Sequence, residues 1–356
     1  MKSNSKQREV GKLAEKASVM LGALNAPLTN FGNSHIFEVA NNDTVFSTGG
    51  LAVNDLASAD KLRAPLETLV QTAAMNDDLT PEIDFLAPRV DVSGQNGYFS
   101  YMDRSGGINT LTSLNSIERA INGTVSLIDG AGTEVAGFCK SYGLGSEIDE
   151  DRCGDVQLEM QTRIMEIMEL ISLNRLQIRI AALVAIANNT AKTWGSSANP
   201  DGDARDVIQT ALTGSGIRPN CAYYDVGAWN ARQSAYERQA TAGAFQGTLR
   251  DEAGHAAYLK LRQTIVSKAL QKDAAGTLTA LYSNKAMFFR NNAAATRRSN
   301  DILKTFSCDD NGVQFRTHQR QVSEKVWRVA VTFREVVLVT GPVTGNPVQQ
   351  ITVTPA

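Results

Sequence analysis

Six carboxylates fall within residues 147–159 (Glu147, Asp149, Glu150, Asp151, Asp155 and Glu159) against the single base Arg152, a net charge of −5. Residues 285–334 carry the opposite excess, ten Lys or Arg against four Asp or Glu, or +6. A dense acidic cluster can hold a hard cation, but an EF-hand loop needs a central glycine and a terminal glutamate, and this run has neither in place. It reads more simply as a solvated helix start. Two uses of the charge remain, of equal standing. The acidic stretch of one copy can meet the basic stretch of the next, which makes Glu147, Asp149, Glu150, Asp151, Arg316, Arg320, Arg328 and Arg334 candidate assembly contacts. Alternatively, both are solvated faces that keep the chain soluble.

Signatures of catalysis are missing. The chain has no G-x-x-x-x-G-K-[ST], no H-E-x-x-H and no G-x-S-x-G. The pairs Gly130/Gly132, Gly143/Gly145 and Gly214/Gly216 lack the third glycine of a dinucleotide loop and read as turn glycines. His35, His255 and His318 are isolated from one another. Cys139, Cys153, Cys221 and Cys308 form no C-x-x-C and no disulfide framework, which fits a reducing cytoplasm. No metal, cofactor or catalytic site is expected. An enzyme whose site gathers scattered residues such as Arg250, Asp251 and His255 is the alternative from another class.

Composition is that of an ordinary folded protein: 356 residues, 42% hydrophobic and 20% charged. A net charge of −2 lacks the basic excess of a dedicated nucleic-acid binder. The first sixteen residues are charged and polar, with no secretory core. The longest apolar run, 180–187, has eight residues, far short of the ~20 that a membrane-spanning helix needs.

The element that must position these groups is unusually long. Residues 155–189 contain neither glycine nor proline and predict one helix, which at ~1.5 Å per residue would run ~50 Å. A compact chain of this size has a radius of gyration of roughly 20 Å, so the rod would cross it edge to edge and suits a flat building block. Ile164, Ile167, Met168 and Ile171 point inward, and Arg163, Glu166 and Glu169 outward. Residues 178–187 are apolar nearly all round and are expected to be buried on every side. The acidic run sits where the helix dipole favours negative charge, and Asn188-Asn189 end the helix.

Around it, helices are expected over 5–24 and 59–75, a low-periodicity stretch over 25–58, and an extended segment over 83–92. Period-two alternation predicts strands at 98–103 and 134–144, joined by ~30 residues with no strong periodicity. Connections in compact domains are much shorter, and a two-stranded excursion is marginal alone, so this one needs a neighbour to lie on. Helical patterns follow at 203–213, 227–239 and 257–271, extended segments at 221–224 and 286–290, a long strand at 324–339 and a last one at 350–354.

Three groups of residues in this order resemble one family. They are Phe85-Leu-Ala-Pro88 with Val92 and Gly97-Tyr98, then Tyr142-Gly-Leu-Gly-Ser-Glu-Ile-Asp-Glu-Asp-Arg152 before the long helix, then Trp194, Asn199-Pro200, 206–211, Gly216, Pro219-Asn220 and Trp229. Together they resemble tailed-bacteriophage major capsid proteins over roughly 83–230. The resemblance implies an α+β HK97-like capsid fold, shared with herpesvirus capsid floors and encapsulin shells. It implies an N-terminal arm and leading helices (1–82), the start of a peripheral domain (83–96) and an extended loop over a neighbouring subunit (97–149). It further implies the peripheral domain with its spine helix (150–202), an axial domain (203–310) and a return to the peripheral domain with C-terminal strands (311–356). The implied partners are further copies in hexamers and pentamers, a portal, and double-stranded DNA enclosed without sequence recognition in an icosahedral head. Assembly would take place in a host cytoplasm, with the virion as the destination and no membrane involved. About 80 residues precede the Phe85 motif, which points to a separate scaffolding protein. An encapsulin-type shell around protein cargo is the alternative within the same fold.

Overall fold

A computed structural model describes residues 66–74, 77–92, 97–105, 133–239, 247–272, 277–308 and 313–355. The expected helix over 5–24, the stretch 25–58, the start of the helix over 59–75 and the loop centre 106–132 lie outside the described residues. In chain order, helices α1 (66–74) and α2 (Thr80–Leu86) precede strands β1 (Arg89–Asp91), β2 (Tyr98–Asp103), β3 (Thr133–Phe138) and β4 (Lys140–Asp149). A 3-10 turn, Glu150–Arg152, leads into helix α3 (Val156–Ile186), β5 (Asn188–Trp194), α4 (Pro200–Ser215), β6 (Cys221–Asp225), α5 (Val226–Glu237) and α6 (Glu252–Leu259). The chain closes with β7 (Gln263–Ser267), β8 (Leu270–Lys272), β9 (Leu278–Ala280), β10 (Lys285–Phe289), β11 (Leu303–Ser307), β12 (Phe315–Ser323), β13 (Val326–Val339) and β14 (Gln349–Pro355).

The 31 residues of α3 form the expected rod, ~46 Å long. Asp155 starts it: its Oδ1 accepts from the backbone N–H of Gln157 at 2.9 Å and of Leu158 at 3.2 Å. Asp155→Ala should therefore cost about 1 kcal/mol, read as a lowered denaturant midpoint of the unassembled chain. The rod ends at Ile186, three residues short of the expected end. Asn188 is claimed by a partner 161 residues away, since β5 pairs in parallel with β14 from Asn188↔Gln349 to Trp194↔Pro355. Thr352 Oγ1 and Gln350 Nε2 both donate to Asn189 Oδ1. The second half of α3 is not buried on every side: Ala181 and Ala185 are exposed while Leu176, Ile180 and Leu183 are buried. An alanine face loses little by meeting water, so apolar periodicity there did not dictate burial.

Two five-stranded sheets flank this rod. In the first, β13 is central. It carries β4 on one edge, from Val326↔Asp149 to Glu335↔Lys140, and β12 followed by β11 on the other, with β1 parallel to β11. Ile164, Ile167, Met168 and Ile171 of α3 pack on Ile148, Phe315, Val329 and Val331 of this sheet. Strand alternation then turns Arg328, Ala330, Thr332 and Arg334 to the opposite face. In the second sheet, ordered β5-β14-β10-β6-β7, one face holds Trp194, Ile208, Trp229 and Ile351. On its other face, Tyr223, Met287 and Phe289 meet Leu176, Ile180 and Leu183 of α3. One helix thus serves as core for both sheets.

Some segments depart from the sequence expectation for identifiable reasons. Residues 83–86, the start of the segment expected extended, belong to α2, because Pro81 suits a first helical turn and the helix buries Ile83, Phe85 and Leu86. The helix expected over 257–271 stops at Leu259, where Lys260 adopts a left-handed φ of 56°, and the chain turns into β7 and β8. The strand expected over 134–144 breaks at Cys139: β3 pairs with β2 alone, whereas β4 joins β13. Lys140–Asp149, the end of the 97–149 segment, is therefore an edge of its own chain's sheet. Leu303–Ser307, inside 203–310, sits in the first sheet, and Gln349–Pro355, inside 311–356, in the second. Gly143 and Gly145 lie in β4 and not in a turn; a Cβ there would meet Thr332 Cγ2 at 3.0 Å and Ala330 Cβ at 3.1 Å. Gly216 does cap a helix, with φ +70° after α4.

Candidate assembly surfaces and buried charge clusters

The acidic and basic segments meet within one chain. Glu147 forms a salt bridge with Arg328, its directly paired neighbour across β4 and β13. Asp151 pairs with Lys325 at 2.9 Å, in the turn between β12 and β13. Glu150 Oε1 accepts from Trp327 Nε1 at 2.9 Å, and Asp149 pairs with Arg152 at 3.3 Å. Arg334 Nε donates to Ser141 Oγ at 3.1 Å. Arg316 and Arg320 stand on β12 opposite Thr332 and Arg328. An exposed pair such as Asp151–Lys325 contributes at most about 1 kcal/mol and the Trp327 hydrogen bond about as much, so Glu150→Lys with Asp151→Lys should lower the unfolding free energy by about 2 kcal/mol and leave the chain folded. If these acids also contact a second copy, the same variant forms fewer particles; an unchanged particle yield removes that role.

A stronger cluster holds α3 to β13. Arg175 Nη2 lies 2.9 Å from Glu335 Oε2 and Arg179 Nη2 lies 3.3 Å from Oε1, with all three side chains buried. Burial pushes the Glu335 carboxyl up, but the Arg179 and Arg175 guanidiniums outweigh it and hold the group below the usual carboxylate range. Burial pulls Arg179 down from its ordinary value. The sequence reading missed this triad. The available signal was two arginines one turn apart inside an apolar helix, and a glutamate at an inward position of an alternating strand.

The second cluster centres on Asp201, in the first turn of α4. Its carboxylate accepts from Arg232 Nε at 2.7 Å and Nη2 at 3.1 Å, and from Arg250 Nη1 at 2.6 Å. His255 Nε2 lies 3.5 Å away, and His255 Nδ1 is 3.3 Å from Thr264 Oγ1. Burial raises the Asp201 carboxyl, but His255 and Arg232 hold it far below its usual range. Burial keeps His255 neutral, lowering its pKa. Of the scattered residues considered as an enzyme site, Arg250 and His255 do converge, but on Asp201, whereas Asp251 caps α6 by accepting from Gly254 N–H at 2.7 Å. His255 is 0% and Asp201 1% exposed, and the cluster ties α4, α5 and α6 together. His318 lies on β12, its Nε2 2.9 Å from Thr332 Oγ1, and His35 is outside the described residues.

The four cysteines are free thiols, and burial holds that of Cys139 well above its ordinary pKa. Among the described residues, no three His, Cys, Asp or Glu side chains gather to hold a metal ion, and no helix is long and apolar enough to cross a membrane. The β2–β3 ribbon is pinned at both ends by its own chain. Phe99 stacks on Phe306 at 4.6 Å, Arg104 N–H donates to the Thr340 carbonyl at 2.9 Å, and Val343 N–H to the Ser105 carbonyl at 3.3 Å. At its base, Tyr98 and Phe138 face each other at 4.9 Å and are 68% and 40% exposed.

No protein-family model and no curated protein matches the sequence. Among solved structures, the chain is similar to a phage-related protein from Bordetella bronchiseptica RB50, at 12% identity and a TM-score of 0.54, over 80% of this chain and 95% of that one. A virus-like particle protein from Pyrococcus furiosus matches at 12% identity and a TM-score of 0.43, over 83% of this chain and 99% of that one. The capsid structure of the cyanophage P-SCSP1u matches at 10% identity and 0.43, over 77% and 88%. The first similarity establishes a shared fold; the other two scores are too low to add to it. The fold is α+β, shared with that phage-related protein.

Proposed function

We propose that this chain is a major capsid protein that self-assembles into the hexamers and pentamers of an icosahedral tailed-phage head enclosing double-stranded DNA. The observation that carries this reading is the architecture: one 31-residue helix acts as core for two separate sheets, and among the described residues the two-stranded ribbon β2–β3 joins neither of them. The fold shared with the phage-related protein over nearly all of that chain supports it. The buried Asp201 cluster, which ties α4, α5 and α6 together, suits a structural role.

On this proposal, 97–139 with its described ribbon forms the extended loop, 1–82 the arm, and the second sheet with α4, α5 and α6 the axial unit at the centre of each hexamer or pentamer. Stability would come from many interfaces per subunit, and obligate contacts of this type bury ~2,000 Å² or more. A separate scaffolding protein and a portal complete the partner set, and assembly in the host cytoplasm ends in the virion. Sedimentation velocity of the expressed full chain, with ultraviolet spectra of each boundary, tests the proposal. Megadalton particles are expected; a single species of about 38 kDa across assembly-permissive salt and Mg²⁺ conditions overturns it.

A further inference from the structure

Two of the four cysteines lie against each other where the β2–β3 ribbon meets the first sheet. Cys139 sits between β3 and β4, and its backbone N–H donates to the Gly97 carbonyl at 2.9 Å, which ties it to the root of the ribbon. Its thiol donates to the Phe306 carbonyl at 3.6 Å, 167 residues away in sequence. Cys308 stands two residues beyond Phe306, so strand alternation turns both side chains to the same side. The Cys308 backbone N–H donates to the Arg334 carbonyl at 3.2 Å, fastening it to β13, and its thiol is in hydrogen-bond contact with that of Cys139. Both cysteines are buried, at 1% and 6% exposure, in the small core of Val90, Val92, Phe99 and Phe306. The other two thiols are placed elsewhere. Cys221 belongs to the core between α3 and the second sheet, and Cys153 lies beyond the far end of β4, a ten-residue strand ~33 Å long.

We propose that Cys139 and Cys308 form an intrachain disulfide that locks the root of the ribbon to the first sheet, with a small disulfide such as oxidised glutathione as the oxidant. The Cys308 thiolate, the less buried of the two, attacks the oxidant, forming a mixed disulfide and releasing one glutathione thiolate. The Cys139 thiolate then attacks the Cys308 sulfur, forming the Cys139–Cys308 bond, breaking the mixed disulfide and releasing the other glutathione. Two protons and two electrons leave the protein, and the oxidant is reduced to two thiols. Burial disfavours thiolates and excludes the oxidant, so the seated ribbon keeps both thiols, and closure waits for the ribbon to open locally. Phe99, stacked on Phe306 at 4.6 Å, is the cover that must lift. Once formed, the bond encloses α3, α4, α5 and α6 in one covalent loop, and long loops constrain the unfolded chain most. A reducing cytoplasm leaves the pair open, and an oxidising medium closes it. Only the timing of closure, after a particle leaves its host, rests on the capsid proposal; the pairing itself does not.

The test treats the folded full chain with oxidised glutathione, alkylates the thiols that remain and maps the peptides by mass spectrometry without reduction. A linked Cys139–Cys308 peptide is expected within a day, with Cys153 and Cys221 joined to no other protein thiol. The oxidised chain should unfold at roughly 1 M higher urea than the same sample after dithiothreitol. That comparison needs no variant, so misfolding cannot mimic it. Cys308→Ser should abolish the shift and Cys153→Ser should keep it. A folded chain whose four thiols all stay open to alkylation, and which links only in denaturant, overturns the proposal. So does a linked chain whose midpoint fails to rise, a shift that survives Cys308→Ser, or glutathione that stays on Cys308 unresolved. Particle formation is scored separately: shells without the linked peptide sink this inference alone, and the linked peptide without shells sinks the capsid proposal alone.

Discussion

Glu335→Leu should lower the unfolding free energy of the unassembled chain by about 3–5 kcal/mol, the usual cost of leaving a buried charge unpaired. The substitution strands two buried guanidiniums, Arg175 and Arg179. Arg179 would keep only its bond to the Arg175 carbonyl, at 2.7 Å. Replacing all three residues, Glu335→Leu with Arg175→Met and Arg179→Met, should recover most of the loss, since no charge is then buried. Denaturant titration decides the matter. A single variant within 1 kcal/mol of wild type would show that the triad does not hold α3 to β13.

Asp201→Asn is the second large effect, again about 3 kcal/mol or more. One neutral amide cannot satisfy the Arg232 and Arg250 donors that the carboxylate now accepts, and Arg232 is completely buried. The sign of the pH dependence follows from the direction of the shift. Asp201 titrates lower in the folded chain than in the unfolded one, near 3.9, so its contribution is complete above that value and is lost as pH falls through the folded one. Wild type and variant should therefore differ most near pH 7 and converge in strong acid. His255 adds a separate limb of the same sign. Its folded pKa is lowered, so the unfolded chain takes up a proton first, near 6.5, and stability declines as pH falls below that point. Melting temperature against pH for both chains displays the two limbs.

Much of this fold is legible along the chain. The run without glycine or proline from 155 to 189 marks α3, and the pattern at 203–213 marks α4, which starts earlier, at Pro200, where Asn199 accepts from Gly202 N–H at 3.0 Å. The alternation at 98–103 and 326–339 marks β2 and β13. Tertiary pairing hides the rest. β5 is a polar run, Asn188–Trp194, that becomes a strand because β14 lies beside it. β11 and β12 both become strands by pairing end to end along the long β13, which no local pattern in either announces.

The charged residues divide in the same way. Glu147, Arg328 and Arg334 were recognisable as charges of interest, and strand register brought Arg316, Arg320, Arg328 and Arg334 to one face. That Glu147 and Asp151 would find Arg328 and Lys325 in the same chain depended on β4 joining β13, a contact more than 170 residues long in sequence. The Asp201 cluster is built from four segments, and no local pattern announces it.

Cryo-electron microscopy of the assembled full chain asks the central question most directly. Closed icosahedral particles are predicted, with the β2–β3 ribbon of one subunit reaching its neighbour and the second sheets gathered round five- and six-fold centres. Isolated chains of about 38 kDa, or open aggregates whose ribbons contact only their own subunit, would contradict the account.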